Sequence, residues 1–322
     1  MKMLALLCAI SLSVQDPAPA PNSPPQEQPA KIAIYDENAD ASADIAAALA
    51  RAKDNNRRVL IQWGANWCVW CVRLHELAKK DAKIARTLKY EYDVVLVDIG
   101  DWKKNMELAA KYGADLKGSG VPYLTVLDAT GKPLANQDTG ALEDKPKNAH
   151  DPARVLEFLQ SKQAPYERAE ELLAAAQAQA RIEKTQVFLT FGAPWCGWCH
   201  KLENWMATPL PKALLAKDFV IRKIDVDRTL GGAELKARHG GKEFGLPWFC
   251  ILDAQGKVRG ASLDAEGKNI GFPYQDSEIM AFATLLSKVA RNLSLGDIDK
   301  LQRSLVDVRE ADLRKQQEKA QK

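Results

Sequence analysis

Apolar residues along this chain recur in the same order of patterns twice. An alanine-rich stretch with helical spacing, Ala43 to Lys53, precedes a continuous apolar run, Val59 to Trp63, that ends at Gly64. The same succession returns as Tyr166 to Lys184 and then Val187 to Phe191, ending at Gly192. Short unbroken apolar runs bounded by glycine read as buried strands, with the helical stretches covering them. Each strand leads into a segment that carries Leu74 and Leu77, or Leu202 and Trp205, at helical spacing. A second strand follows (Val94 to Ile99; Phe219 to Val226), then a short helix ending near Gly113 or Gly240. A Gly-x-Pro, a third strand, an Ala-x-Gly-Lys turn and a fourth strand complete the pattern. Each unit closes with a helix. The first starts at Asp151-Pro152, an N-cap followed by proline at the first helical position, and the second at Ser277.

The two units are copies. Val59 to Leu77 aligns without gaps on Val187 to Trp205, with eight of nineteen positions identical. Val121 to Lys132 aligns on Leu246 to Lys257 with six of twelve identical. The pattern therefore predicts an α/β chain with two tandem domains, residues 31–163 and 164–291. Each is expected to be a mixed central sheet flanked by helices. Residues 292–322 are charged, but Ile298, Leu301, Leu305 and Val308 recur at three-to-four spacing. That predicts an amphipathic C-terminal helical tail packing back on the second domain, with a frayed Gln/Lys-rich end.

The amino terminus differs in kind. One lysine, the apolar run Leu4 to Leu12 and small residues around Ser13 follow the order of a secretory signal, assigned to residues 1–15. Leu7 before Cys8 lacks the small side chain that a lipid-attachment site requires. Residues 16–30 hold six prolines and read as a semi-extended spacer. These features predict an exported, periplasmic or extracytoplasmic protein with no integral membrane domain after signal cleavage. Lys and Arg exceed Asp and Glu by only 45 to 42, which argues against nucleic acid as a partner.

Six cysteines are too few for a disulfide-built scaffold, but four fall in two CxxC pairs at matching places in the repeat. In both copies the motif is WCxWC, set between a strand and a helix. A strand, a WCxxC at a helix start and a Gly-x-Pro before a later strand together resemble the thioredoxin superfamily. Both repeats share the likeness, from about Lys31 to Arg291. The sequences around the motifs are most similar to exported thioredoxin-like proteins with a tryptophan inside the CxxC. The resemblance implies two thioredoxin-like domains and thiol–disulfide exchange with protein thiols and disulfides. It also implies an upstream redox partner and calls for no cofactor.

A cysteine at the first turn of a helix meets unpaired N–H groups and the positive end of the helix dipole, which favour thiolate over thiol. Cys68 and Cys196 occupy that place and are the expected nucleophiles. Cys71 and Cys199, one turn on, are the expected resolving thiols. Trp67 and Trp195 would shield the sulfurs and offer a flat apolar surface. Pro122 and Pro247 match the superfamily's cis-proline, so that the backbones of Val121 and Leu246 would meet an incoming peptide. The acid that many thioredoxins carry six positions before the first cysteine is absent, with Gln62 and Thr190 in its place. Glu203, four residues after Cys199 on the same helix, is the expected substitute in proton handling, with a pKa raised by burial. His75 is its counterpart in the first copy. His200, beside the helix start, could also help hold a thiolate.

Other readings compete. A zinc site built from both pairs is disfavoured, because 124 residues and a complete domain separate them. A non-catalytic or chaperone-like peptide-binding protein with structural disulfides is the alternative function, and the CVWC of the first copy suits it better than CGWC does. Cys250 is expected to be a buried, inert core residue. His75, His150 and His239 are expected at the surface or in packing, and Trp102 and Tyr112 in local packing. Gly271 to Tyr274 is expected to be an aromatic turn against the core, with a substrate lip as the other reading.

Overall fold

The structure is a computed structural model in which residues 33–320 are described. The expected signal segment and proline-rich spacer lie outside the described residues. The first domain begins with helix α1 (Ala41–Asp54), whose N-cap Asp40 accepts a hydrogen bond from the Ala43 N–H. Its buried stripe is Ala41, Ile45, Ala48 and Ala52, and the three alanines let it lie close on the sheet. Then follow β1 (Arg58–Gly64), α2 (Val69–Lys80), α3 (Ala82–Glu91), β2 (Tyr92–Asp98), α4 (Met106–Lys111), α5 (Leu116–Ser119), β3 (Tyr123–Leu127) and β4 (Pro133–Asp138). A two-residue ladder, β5 (Glu143–Asp144) with β6 (Ala149–His150), leads to α6 (Pro152–Lys162). Sheet order is β2-β1-β3-β4, with β1 parallel to β2 and antiparallel to β3. The central strand β1 is buried on both faces, as its unbroken apolar run requires.

The second domain repeats the plan with α7 (Ala169–Glu183), β7 (Gln186–Gly192), α8 (Gly197–Ala207), α9 (Pro209–Leu215), β8 (Phe219–Asp225), α10 (Gly232–Lys236), β9 (Trp248–Leu252), β10 (Val258–Ala261) and α11 (Asp276–Val289). Its sheet order is β8-β7-β9-β10, with the same parallel and antiparallel pairings. Two breaks in helical pattern differ from the sequence expectation. Asp81 ends α2 and caps α3, accepting from the N–H groups of Lys83 and Ile84, whereas Thr208, whose hydroxyl donates back to the Trp205 carbonyl, and Pro209 at the first helical position separate α8 from α9. Helix α11 starts one residue before Ser277, because Gln275 and Glu278 form a capping box there.

Helix α12 (Leu295–Ala320) seats Ile298, Leu301 and Leu305 in the core of domain two. It continues as helix to Ala320, rather than fraying. The same core holds Phe188, Trp205 and Phe249, where the first domain has Leu60, Leu77 and Leu124. Bulkier aromatics widen the apolar face of the second domain, and α12 covers it; Trp205 Nε1 donates to Ser304 Oγ at 2.9 Å. Among the described residues no helix is long and apolar enough to cross a membrane.

A buried ion pair joins the domains. The Arg228 guanidinium meets the Glu91 carboxylate at 2.9 Å, and both side chains are almost wholly buried. Arg228 also donates to the carbonyls of Asn55 and Asn56, and Tyr166 donates to Glu91.

Candidate active site

Both CxxC pairs sit where a central strand hands over to a helix. Cys68 is the N-cap of α2 and Cys196 that of α8, and each sulfur accepts the N–H of the second cysteine at 3.1 Å. Unpaired first-turn amides thus point at the first sulfur, the placement that stabilises a thiolate. Cys68 is disulfide-bonded to Cys71 and Cys196 to Cys199, with Cα atoms 5.2 Å apart in both. The first cysteines keep 5% and 4% exposure, while the second keep 0% and 1%. An external sulfur therefore reaches Cys68 and Cys196 first.

The rim of each site is apolar and open. Trp67, Val69, Trp195 and Trp198 are among the exposed large hydrophobic side chains. Trp67 Nε1 donates to the Gly100 carbonyl and its ring lies 5.9 Å from that of Trp102, while Trp195 Nε1 donates to Asp227. Asp227 also accepts the Tyr90 hydroxyl, so the tryptophan beside the second site is tied to the first domain. The Val121–Pro122 and Leu246–Pro247 bonds are cis. The Val121 carbonyl oxygen lies 3.5 Å from Cys68 Sγ, and Leu246 packs against Cys196 and Cys199. The Gly271–Tyr274 turn does pack on the core through Phe272. It also borders the site, since Phe272 and Tyr274 lie 6.2 and 5.3 Å from the Trp198 ring.

Beneath the sulfurs the two sites diverge. A Cβ on Gly192 would crowd Cys199 Cβ at 3.2 Å and touch Cys199 Sγ at 3.4 Å and Glu203 Oε1 at 3.5 Å. The Glu203 carboxylate accordingly lies near the resolving sulfur, in an ion pair with Lys223 Nζ at 2.7 Å and 3.6 Å from His200 Nδ1. Lys223 also donates to Asn55 of the first domain. His200 Nε2 lies 3.0 Å from the Pro194 carbonyl oxygen. Lys223 was not singled out from the sequence; a lysine inside the strand Phe219–Asp225 was the available signal.

The first site has neutral groups in the same region. His75 lines an apolar cavity of about 330 Å³ with Gln62, Leu88, Val94 and Leu159 among its walls, and burial lowers its pKa. Tyr35 reaches in from the segment before α1, and Gln62 Nε2 donates to its hydroxyl at 2.8 Å. Nothing in the repeat pattern marks Tyr35, which lies ahead of both aligned blocks.

His150 is buried, edge-on to Trp70 at 5.2 Å, with no hydrogen-bond partner on either ring nitrogen. Burial, aided by the Arg73 charge, pushes its pKa down to about 4. Protonation then favours the unfolded chain, so this contribution is full above about pH 6.5 and is lost as pH falls toward 4. Urea unfolding at stepped pH should show a loss of ~2 kcal/mol across that window, absent in His150→Leu. An equal loss in the variant would assign it elsewhere. Cys250 is a free thiol with 0% exposure, and burial pushes its pKa up to about 12, which leaves it inert. Among the described residues no cluster of His, Cys, Asp or Glu could hold a metal ion.

Each domain matches a family profile: residues 45–149 the one described as thioredoxin-like domain, and residues 168–254 the one described as thioredoxin-like. The chain belongs to the thioredoxin superfamily, as a tandem of two such domains. It is 28% identical over 99 residues to a protein named disulfide bond reductase DsbH from Chlamydia pneumoniae, a match covering 28% of this chain and 57% of that protein. Among solved structures it is similar to a disulphide isomerase from Xylella fastidiosa Temecula1 (29% identity, 40% of this chain and 95% of that one, TM-score 0.36). It is also similar to a thioredoxin-fold protein from Helicobacter pylori (20% identity, 34% and 83% covered, TM-score 0.23).

Proposed function

We propose that this protein is an exported thiol–disulfide oxidoreductase that exchanges disulfides with protein substrates through both CxxC pairs. One observation carries the reading. In each domain the less buried sulfur of the pair caps a helix and accepts a first-turn N–H beside exposed tryptophans, and in the first domain the Val121 carbonyl before the cis-proline lies against it. The likeness to a protein named as a disulfide bond reductase supports the same chemistry. Cys68 or Cys196, as thiolate, attacks a substrate disulfide and forms a mixed disulfide. Cys71 or Cys199 then attacks that bond, releasing the substrate thiol and leaving the domain oxidised. Trp67 and Trp195 shield the reacting sulfurs, while the backbones of Val121 and Leu246, before Pro122 and Pro247, receive the substrate chain. A thiol-bearing upstream partner restores the dithiols. The Leu4–Leu12 run and the proline-rich spacer support export to the periplasm or another extracytoplasmic space, where protein disulfides persist. The test is reduction of insulin disulfides in the presence of dithiothreitol. The protein should accelerate it, and Cys68→Ser/Cys196→Ser should not; equal rates would overturn the reading.

In the second domain Glu203 receives the proton that Cys199 gives up when it resolves the mixed disulfide, with Lys223 holding the carboxylate in place. Glu203→Gln should slow resolution about tenfold or more at neutral pH and flatten the pH profile. An overlaid profile would make Glu203 a structural partner of Lys223 only.

A further inference from the structure

The first site carries a phenol where the second carries an ion pair. Tyr35 is 3% exposed and packs in one cluster with Cys68 and Cys71. A Cβ added to Gly64 would stand 2.3 Å from Tyr35 Oη and 2.6 Å from Cys71 Sγ, so the bare glycine leaves room for the phenol and the resolving sulfur on the same side of β1. The placement is built. Asn66 Oδ1 accepts the N–H groups of Ile34 and Tyr35, and Asn66 Nδ2 donates to the Tyr35 carbonyl. Asn66 lies between the strand and the CxxC, where the second domain has Pro194. Gln62, in the place of the missing acid, donates to Tyr35 Oη and leaves the phenol's own hydrogen free.

We propose that Tyr35 is a catalytic residue of the first site, donating a hydrogen bond to Cys71 Sγ as that sulfur becomes a thiolate. The proposal rests on the exchange reading above and deepens it. An incoming thiolate attacks Cys68 Sγ and forms a new S–S bond there. The Cys68–Cys71 bond breaks, and its electron pair leaves on Cys71 Sγ. Tyr35 O–H stabilises that leaving thiolate and keeps its proton, and the thiolate is protonated afterwards from solvent. Burial, opposed by the Gln62 hydrogen bond and reinforced by the Asp98 charge, holds the phenol well above its ordinary pKa, so it acts as a donor and not as a base. A better-stabilised leaving thiolate departs faster, so the first site is adapted to being reduced. The second site, with Glu203 and Lys223, is adapted to proton transfer during resolution.

The test uses the full chain with Cys196→Ser/Cys199→Ser, so that only the first disulfide reports. Its reduction by dithiothreitol is followed by tryptophan fluorescence. Tyr35→Phe should slow it roughly tenfold, the cost of one hydrogen bond to a charged sulfur. In Cys68→Ser the ultraviolet titration of the Cys71 thiol should move upward by about one pH unit when Tyr35→Phe is added. In a chain with all four cysteines, Tyr35→Phe should leave reduction of Cys196–Cys199 at its parent rate. Unchanged reduction of the first site and an unchanged Cys71 titration would overturn the proposal. Equal slowing of both sites would also overturn it, by pointing to the fold. Dithiothreitol reduction needs no protein substrate, so a failure to reduce insulin would sink the exchange reading separately.

Discussion

Changing Cys196 to serine is expected to remove most of the insulin-reducing activity, by roughly tenfold or more, whereas Cys68→Ser should leave the larger part. Both cysteines cap a helix and both accept the same amide, so the nucleophiles themselves do not set the ranking. Their surroundings do. Gly197 follows Cys196 with open space around it, while Val69 follows Cys68 and projects its branched side chain at the rim. Beneath Cys199 stands the Glu203 carboxylate, the proposed proton acceptor, paired with Lys223, whereas beneath Cys71 stand Tyr35 and Gln62, neither of which accepts a proton near neutrality. Initial rates at equal protein concentration decide the matter, and the opposite order would show that substrate release at the second site does not limit turnover.

Removing Glu91 should have the largest effect on stability. The Arg228 guanidinium is met by four groups, the Glu91 carboxylate, the Asn55 and Asn56 carbonyls and the Tyr166 ring, and without Glu91 its charge stays buried with only carbonyls and the ring to meet it. Leaving one member of a buried pair uncompensated costs about 3–5 kcal/mol. Because Glu91 ends α3 of the first domain and Arg228 follows β8 of the second, that loss falls on the contact between them. Calorimetry of Glu91→Ala should show a lower melting temperature and separation into two transitions. The double variant Glu91→Leu/Arg228→Met should recover much of the loss, since it buries no lone charge. A Glu91→Ala melt that overlays the parent would mean the pair is solvated in solution.

Repetition made the fold legible. One CxxC beside one apolar run is ambiguous, but Val59–Leu77 and Val187–Trp205 impose the same strand, motif and helix on two places. Both become a central strand and a capped helix. Asp81 hid α3, because a capping aspartate inside a run of helix formers looks like one more polar surface residue until its side chain is seen on two amides. The interdomain pair was out of reach for a different reason. Glu91 and Arg228 are 137 positions apart and belong to no periodic pattern, so nothing local distinguishes them from solvated charges. Cys68, Cys71, Cys196 and Cys199 were readable because first-turn placement is a local property. Tyr35 and Lys223 were not, since Tyr35 reaches the first site and Lys223 reaches Glu203 from elements that are remote in sequence. His150 was expected at the surface or in packing; the β5–β6 ladder puts it in packing, against Trp70.

The reduction potential of each CxxC, measured with the other pair changed to serine, separates exchange centres from structural disulfides most directly. Equilibration in glutathione or dithiothreitol buffers should find both pairs titrating reversibly, within about −120 to −270 mV, the span of thioredoxin-fold oxidoreductases. Potentials below about −300 mV for both pairs, where structural disulfides lie, would contradict a redox role for this tandem.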